Sequence, residues 1–444
     1  MTTAIDPGAA ITRLAGQLEM SQWASPAEIA SSQCRHVRLL AEHCVAQSPA
    51  FARRLDSAGL RPEDLGRPEI FSRLPVMTRR DVQAAGEELF CRDVPAGHGS
   101  PRLARTSGST GEPVQIRRTA VTGVFWRAMA LREMRWHQRD LSGRLCSIRP
   151  NHPAYELTDD WGAFAPGDRT GPALRLPSTA DAARLVDWIT EFDPTVLAVF
   201  PSVLRELTGH CRKHGVELRR LRHILTVGET LTDAVRADAR ATFAADIADC
   251  YSSEEFGYIA TQCPASGLYH VMAESVLAEV LDDQGQPCRE GEVGRVTLTA
   301  LHNYATPLIR YDIGDMAEPA SPCPCGRGLP AWRRILGRTK NLLLRPDGTR
   351  CWPVTGFFRC RDIAPVAQYQ LIQLDARTIE ARLVVERALL PSEEQGLRAL
   401  VNESVGYADD MRFAYFEGRL PVGPSGKCEE FLYAGVDPVG PHPI

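Results

Sequence analysis

The chain has 444 residues, of which 44% are hydrophobic and 24% are charged. This balance is typical of a soluble globular protein with room for two or three domains. The formal net charge of −4 argues against a nucleic-acid partner and against a basic membrane-binding patch. The sequence has no apolar run of about 18 residues and no secretory signal pattern. Its 13 cysteines lack a regular spacing, so we expect free thiols and a cytoplasmic location.

The first 90 residues predict mostly helix. Within 26–48, one face of a helix collects Ile29, Val37, Leu40, Ala41 and Cys44. Segment 74–85 predicts a turn followed by a helix that begins near Thr78.

Residues 178–253 alternate between amphipathic helices and short apolar strands. The helices are predicted at 178–192, 202–215 and 233–245, and the strands at 195–200, 222–228 and 246–253. This alternation predicts an α/β fold with a parallel sheet covered by helices. Segment 274–301 then reads as strand, polar turn and strand, which predicts an added antiparallel β-layer.

The last hundred residues alternate short strands and helices and predict a separate, small α+β domain. We place the boundary near 337–341, which gives a large N-terminal domain of residues 1–337 and a small C-terminal domain of residues 338–444.

Two polar loops in the N-terminal half are candidates for nucleotide binding. The stretch RTSGSTGEP (105–113) combines glycines and small hydroxyl residues, which allow backbone amides to approach an anion. It is not a Walker loop, because no Gly-Lys-Ser/Thr follows. The stretch TVGET (226–230) follows a predicted strand, and ligands of α/β sheets bind at strand ends.

Three further motifs follow in the second half. YSSEEFG (251–257) offers an aromatic face, hydroxyls and two carboxylates, and a carboxylate beside a triphosphate requires a divalent cation between them. LIRYDIGD (308–315) presents a carboxylate suited to a ribose diol. GRTKNLL (337–343) places basic residues at the predicted domain junction.

In this order, the five motifs and the terminal Gly-Lys of VGPSGKCEEF (422–431) resemble the adenylate-forming enzymes. Within that superfamily the chain is similar to the phenylacetate–coenzyme A ligase branch, from about residue 74 to Lys427. The resemblance implies a large N-terminal domain and a small mobile C-terminal domain, with Lys340 at the hinge.

The resemblance also implies roles for individual residues. The phosphates of ATP would be held by Ser107, Gly108, Ser109, Thr110 and Gly111. The remaining nucleotide-binding residues would be Gly228, Glu229, Thr230, Tyr251, Ser252, Asp315 and Arg338. Tyr251 would stack on adenine, Asp315 would bind the ribose hydroxyls, and Arg338 would bind ribose or phosphate. Glu255 would hold Mg²⁺.

Lys427 matches the mobile catalytic lysine of the superfamily and is one of only three lysines in the chain. When a carboxylate attacks the α-phosphorus of ATP, both reactants are anions and repel each other. An ammonium group at the end of a long, flexible side chain can lie between them and lower this electrostatic barrier. The chain departs from the pattern at Glu254, where relatives have Ser or Thr. This extra carboxylate would either shift the metal, exclude an anionic co-substrate or point outward.

A second constellation consists of Cys263, His270, Cys323 and Cys325. Four soft or borderline ligands suit tetrahedral Zn²⁺, and ligases of this branch often have such a cluster. With no open position, the zinc would be structural and would tie the loop after Gly257 to the loop after Asp315.

These observations predict an ATP-dependent, AMP-forming ligase that adenylates a small acid and transfers the acyl group to coenzyme A. The aromatic nature of the acid rests on the branch alone, with Phe125, Trp126, Met129 and Phe200 as pocket residues or plain core. Two alternatives keep adenylation but change the chemistry: transfer to an amine, or activation of nitrite for N–N bond formation. A third is a nucleotide-binding protein without turnover, which Glu255 and Lys427 argue against. The oligomeric state stays open, with a homodimer among the alternatives.

Overall fold

The computed structural model describes residues 7–105, 113–152, 154–162, 169–338, 342–351, 357–405, 410–421 and 430–434. The α-helices in these ranges are α1 Pro7–Ser21, α2 Pro26–Gln47, α3 Pro49–Ser57, α4 Pro68–Phe71, α5 Arg79–Ala85, α6 Ala120–Trp136, α7 Ala182–Phe192, α8 Pro201–His214, α9 Asp233–Phe243, α10 Cys360–Ile363 and α11 Pro391–Val405. Short 3₁₀ turns lie at Pro62–Gly66, Gly86–Leu89 and Phe357–Arg359. Within the described ranges, no helix is both long and apolar enough to cross a membrane.

The strands of the N-terminal part are β1 Arg102–Arg105, β2 Gln115–Arg118, β3 Leu145–Arg149, β4 Glu156–Thr158, β5 Ala173–Pro177, β6 Val196–Val199, β7 His223–Val227, β8 Asp246–Ser253, β9 Gly257–Gln262, β10 Tyr269–Val271, β11 Val276–Leu281, β12 Gly294–Ala300, β13 Tyr311–Pro319 and β14 Ala331–Arg338. The strands of the C-terminal part are β15 Leu343–Leu344, β16 Arg350–Cys351, β17 Val366–Gln373, β18 Thr378–Val385, β19 Asp410–Tyr415 and β20 Phe431–Tyr433.

Twelve strands form one mixed sheet in the order β11-β12-β13-β14-β10-β9-β8-β7-β6-β3-β5-β4. The run β8-β7-β6-β3-β5 is parallel, and the pairings from β8 to β11 are antiparallel. The predicted parallel sheet and antiparallel layer are therefore confirmed, and they are two halves of one continuous sheet.

The predicted helices form for the expected local reasons. The buried face of α2 consists of the five residues named from the sequence, and Ser25 and Glu28 close a capping box at its start. Thr78 caps α5 in the same way, with Asp81 as its partner. Helix α7 begins four residues later than predicted, because Asp181 rather than Ser178 provides the cap.

Helices α7, α8 and α9 pack their apolar faces on one side of the parallel strands, in a core that includes Leu185, Ile189, Leu204 and Ile224. Each such fully buried side chain contributes roughly 1.5–3 kcal/mol. Tyr258 packs with Ala198 and Leu225 on the opposite side. The carboxyl ends of the parallel strands lie between these two layers, and this edge contains the candidate site.

A four-stranded sheet of order β19-β18-β17-β20, covered by α10 and α11, forms a core of its own in the C-terminal part. It contacts the large sheet's α8 through ion pairs. Arg205 pairs with Glu430, and Glu206 accepts from Arg419 at 3.1 Å. A separate C-terminal sheet is thus present, as the sequence predicted.

Candidate active site

Three of the nucleotide-binding candidates meet where β8, β13 and β14 end or bend. The Tyr251 hydroxyl donates to Asp315 Oδ2 at 2.6 Å, and Arg338 Nε lies 3.9 Å from Asp315 Oδ1. Asp315 and Arg338 are also direct partners in the β13–β14 register. Burial raises the pKa of Tyr251, and Asp315 raises it further, so the phenol stays a donor at neutral pH.

Glu255 lies in the tight turn between β8 and β9 and is half-buried. Burial raises the pKa of its carboxyl, although hydrogen bonds and the guanidinium groups of Arg338 and Arg79 act in the opposite direction. An oxygen ligand with two cations nearby has the chemistry of a magnesium-phosphate site. Ser252, also half-buried, lies opposite Tyr258 at a bulge in the same β8–β9 pair.

Glu254 has a different partner from the residues of this cluster. Its carboxylate is exposed and accepts from Arg118 at 3.1 Å, and its backbone oxygen accepts from the same guanidinium at 3.0 Å. Of the three roles considered for this departure, the outward one agrees with the geometry. Arg118 also stacks over Trp126, which fixes the pair against the start of α6.

The TVGET turn reaches the same place from β7. A Cβ atom on Gly337 would lie 2.9 Å from Thr230 Oγ1, so Thr230 touches the backbone just before Arg338. Gly228 has a φ of +80°, a conformation that favours glycine. The Glu229 carboxylate accepts from the Ser202 backbone N–H at 2.9 Å and from its hydroxyl at 3.0 Å. This contact caps α8, so Glu229 also has a structural role.

A cavity of about 740 Å³ opens beside Glu255. Its walls include the start of α6 and the β8–β9 turn, and three of the four sequence-predicted pocket residues line it: Phe125, Trp126 and Met129. Phe200 is not among the lining residues of this cavity and belongs to the buried core, which is the other alternative that the sequence left open. Its ring instead lies under Arg149, at the end of β3.

Two aromatic contacts stiffen the cavity wall. Trp126 lies against Gly257, where a Cβ atom would approach its ring to 3.3 Å, and Phe125 stacks on His302 with ring centroids 3.9 Å apart. Burial lowers the pKa of His302 to about 4, so the stacked imidazole is neutral.

Several predicted residues lie outside the described ranges: Ser107, Gly108, Ser109, Thr110, Gly111, Lys340 and Lys427. The ends of the first loop are nevertheless defined, because β1 and β2 form an antiparallel hairpin in which Arg105 is opposite Gln115. Most of the RTSGSTGEP motif follows β1 in the sequence and lies outside the described ranges.

Cys263, His270, Cys323 and Cys325 converge, with all ligand atoms within 4.8 Å of one another. The Sγ atoms of Cys263 and Cys323 are 3.8 Å apart, and His270 Nε2 is 3.2 Å from Cys325 Sγ. Tetrahedral zinc with Zn–S bonds of about 2.3 Å separates two thiolates by about 3.8 Å, so these donors fit the ion. Burial alone would raise the pKa of Cys263, but hydrogen bonds from His270 and Ser266 lower it to about 5.

Comparison with known proteins agrees with this geometry. Residues 103–302 match the family model described as AMP-binding enzyme. A phenylacetate–coenzyme A ligase of Thermus thermophilus is 28% identical over 392 residues, which cover 84% of each chain. Its counterpart in Escherichia coli is 23% identical over 442 residues, covering 94% of this chain and 97% of the relative.

The chain is therefore similar to the adenylate-forming ligases, and among them to the phenylacetate–coenzyme A ligase-like branch. A solved structure of 2-hydroxyisobutyryl-CoA ligase with a bound acyl-AMP has the same fold, with a TM-score of 0.70, 19% identity, and coverage of 91% of this chain and 88% of that one. For an adenylate-forming ligase, the Tyr251–Asp315–Arg338 cluster lies where a nucleotide is expected.

Three arginines near the candidate site were not anticipated from the sequence. Arg79 acts on Glu255, Arg118 holds Glu254, and Arg149 ends β3 at the carboxyl edge. Only Arg149 had a usable sequence signal, because it directly follows the apolar run LCSI and strand ends bind ligands.

Proposed function

We propose that the chain is an ATP-dependent, AMP-forming ligase that joins a small carboxylic acid to coenzyme A. The observation that supports this most strongly is the meeting of Tyr251, Asp315, Arg338 and Glu255 beside a cavity of about 740 Å³. A nucleotide and an organic acid can therefore lie next to each other at one strand edge. The curated relatives named as phenylacetate–coenzyme A ligases support coenzyme A as the acceptor.

In the first half-reaction, a carboxylate oxygen of the acid forms a bond to the α-phosphorus of ATP. The bond from that phosphorus to the bridging oxygen breaks, and pyrophosphate leaves. In the second half-reaction, the sulfur of coenzyme A, after loss of its proton, forms a bond to the acyl carbon and AMP leaves. In each step, negative charge shifts towards the phosphate groups in the transition state. Cations held in position beside those groups therefore provide most of the rate enhancement.

The family pattern assigns a part of this work to each residue. Asp315 binds the ribose hydroxyls, Tyr251 faces the base, and the loop from Ser107 to Gly111 holds the β- and γ-phosphates. Glu255 is the residue that would hold Mg²⁺, which neutralises phosphate charge when bound. Arg338 lies beside Asp315 and adds positive charge on the nucleotide side.

Lys427 is the proposed catalytic ammonium. It would touch the incoming carboxylate and the α-phosphate together, and a positioned charge of this kind contributes about 3–4 kcal/mol, or 10²–10³ in rate. Its place in the C-terminal part would let it move away for thioester formation.

The acid is proposed to be aromatic, because the cavity is lined by Phe125, Trp126, Phe256 and Tyr258. Its volume lies in the ordinary range of small-molecule binding sites. Zinc is proposed as a structural ion at Cys263, His270, Cys323 and Cys325, where it would tie β9 and β10 to the loop between β13 and β14.

Acid-dependent exchange of labelled pyrophosphate into ATP, over a panel of aromatic and aliphatic acids, tests the first half-reaction. The best acid is then offered coenzyme A, an amine or, in place of the acid, nitrite with an aryl amine. ATP binding without AMP formation for every acid would refute the proposal.

Lys427→Ala is the decisive variant. We expect it to lower pyrophosphate exchange by about 10²–10³ while thioester formation from a supplied acyl-adenylate stays close to wild type. Lys213→Ala is the matched control, because the ion pair of Lys213 with Glu386 is exposed on both sides and contributes at most about 1 kcal/mol, unlike the half-buried pairs of Arg205 and Glu206 on the same helix. Equal loss in both half-reactions would contradict the role of Lys427.

A further inference from the structure

Arg149 is the last residue of β3 and lies at the carboxyl edge of the parallel strands. Alternation along β3 places Cys146 and Ile148 in the core beneath the helices, so Arg149 and Ser147 face the opposite side, which Tyr258 covers. The guanidinium carbon lies 5.3 Å from the centroid of Phe200, and Nη1 donates to the Ile148 backbone oxygen at 3.1 Å.

Among the described residues, no carboxylate pairs with this guanidinium. The two most buried of the described arginines are different, because Arg132 is paired with Glu274 and Arg310 with Glu279. Burial lowers the pKa of Arg149 to about 10, against the opposing influence of Tyr258 and Cys250, so it remains a cation at neutral pH. The Arg149 side chain is half-buried, and a partly desolvated cation without a counter-ion among the described residues is costly, so a bound anion would reduce that cost.

The neighbours of Arg149 complete a polar subsite rather than a salt bridge. His152 Nε2 lies 3.1 Å from the Ser147 hydroxyl, on the same face of β3. Burial and the nearby arginines Arg149 and Arg175 lower the pKa of His152, so it adds hydrogen-bonding capacity and no second charge. Tyr258 connects this subsite to the acid cavity, because it lines that cavity and packs on the side of the sheet that Arg149 and Ser147 face.

The position of β3 in the sheet indicates which end of the substrate Arg149 would contact. Strands β6 and β7 separate β3 from β8, so Arg149 begins about 14 Å from the strand of Tyr251 at ordinary strand spacing. That gap is too wide for the guanidinium to touch phosphates held near Glu255. An arginine side chain and one aromatic ring with a polar group at each end, placed end to end, would span the same distance.

We propose that Arg149 binds a second anionic group on the acid, remote from the carboxylate that is activated. The substrate class is then an aromatic acid with a second carboxylate or an equivalent negative group. The inference rests on the proposed function, because it assigns the far end of the same acid site. Arg149 would be a specificity-determining residue, and Ser147 and His152 would complete the hydrogen bonds of the bound group.

The test compares terephthalate with its monoamide, which keeps shape and one carboxylate but removes the second charge. We expect wild type to favour terephthalate in acid-dependent pyrophosphate exchange, and Arg149→Met to lower the ratio of the two kcat/KM values by roughly 100-fold. Arg149→Lys should restore part of the ratio. A proportional fall for both acids, or no preference in wild type for terephthalate or its meta isomer isophthalate, would overturn the inference.

Arg144→Met is the matched control. Arg144 directly precedes β3 at its opposite end and is also stacked on a phenylalanine, 4.2 Å from the centroid of Phe192. We expect it to leave the ratio within about threefold of wild type.

Calorimetric binding of terephthalate to the full chain without ATP separates this inference from the proposed function. We expect Arg149→Met to weaken binding by roughly 100-fold. Unchanged binding would overturn the role of Arg149 even in an active ligase. Absence of AMP formation with every acid would refute the ligase proposal while the binding result still decides the role of Arg149.

Discussion

The ion pair of Arg132 and Glu274 joins the helix that lines the cavity to the rest of the molecule. The Arg132 side chain is 1% exposed, and it donates to the two Glu274 oxygens at 3.0 and 2.7 Å. The same guanidinium donates to the backbone oxygen of Leu18, and the Ser21 hydroxyl donates to Glu274 at 2.6 Å. Helix α6, helix α1 and the chain before β11 therefore meet at one charge pair.

Replacing Arg132 with Met keeps most of the volume but leaves the Glu274 carboxylate without its cation. Loss of one partner of a buried pair costs about 3–5 kcal/mol. Together with Glu274→Gln and the double variant that carries both substitutions, Arg132→Met completes a double-mutant cycle. We expect the double variant to be more stable than Arg132→Met, because it no longer contains the unpaired charge.

The pH dependence of this cost gives a sharper criterion. In wild type, burial raises the pKa of Glu274, but Arg132 outweighs it and holds the pKa below the ordinary 4.5. The pair therefore stabilises the fold above that value and is lost as the pH falls through the folded pKa. In Arg132→Met, hydrogen bonds from Ser21 and from the backbone still lower the pKa of Glu274, but the guanidinium no longer offsets burial, which is the largest influence. The pKa therefore rises, and protonation at low pH relieves the penalty. The cost should thus be largest near pH 7.5 and should shrink towards pH 5.

Urea unfolding at pH 7.5 and pH 5.0, followed by tryptophan fluorescence and pulse proteolysis, measures this cost. Trp136 lies next to Arg132 and reports on α6. A cost below about 1 kcal/mol, or an equal cost at both pH values, would contradict the reasoning, because a buried unpaired carboxylate must respond to protonation.

Three further changes test the nucleotide and metal residues. Asp315→Asn should raise the KM for ATP by about 10–100-fold, since a charge-assisted hydrogen bond contributes about 1.5–3 kcal/mol. An equal rise in the KM for the acid would argue against ribose binding by Asp315. Gly337→Ala should weaken ATP binding in titration calorimetry, because the new Cβ would lie 2.9 Å from Thr230 Oγ1 and the residue has a φ of +84°; wild-type affinity would refute that contact. Cys325→Ser should lower the zinc content measured by mass spectrometry from about one ion per chain, and an unchanged content would exclude Cys325 as a ligand.

Local sequence patterns were sufficient to predict features that depend on a single helix or strand and on one of its faces. The buried face of α2, the cap at Thr78 and the strand β8 follow from helical or strand period and capping chemistry alone. The predicted start of α7 was less accurate, because Ser178 and Asp181 are both good N-cap residues. Tertiary packing determines which of the two begins the helix, and it is Asp181.

The candidate site shows a different limit. Motif order was enough to name Tyr251 and Asp315, which the fold brings within one hydrogen bond of each other. The sequence contains no indication that Glu254 turns outward, because its partner Arg118 is 136 positions away. The proposed role of Arg149 also depends on the lack of a carboxylate partner among the described residues, which only the packing of distant segments determines.

Helix α8 connects the nucleotide turn to the C-terminal part. Its first turn is capped by Glu229 of the TVGET motif, and its second turn holds Glu430 through Arg205 and Arg419 through Glu206. Glu430 follows Lys427 by three positions in the sequence, and a rotation of the C-terminal part away from α8 would break both ion pairs. Because one partner in each pair is largely buried on α8, these contacts favour the present arrangement more than exposed pairs would. Weakening them, as in Glu206→Gln, should therefore speed thioester formation relative to adenylation wherever the rotation limits turnover, and stopped-flow measurement of the two half-reactions would detect that change.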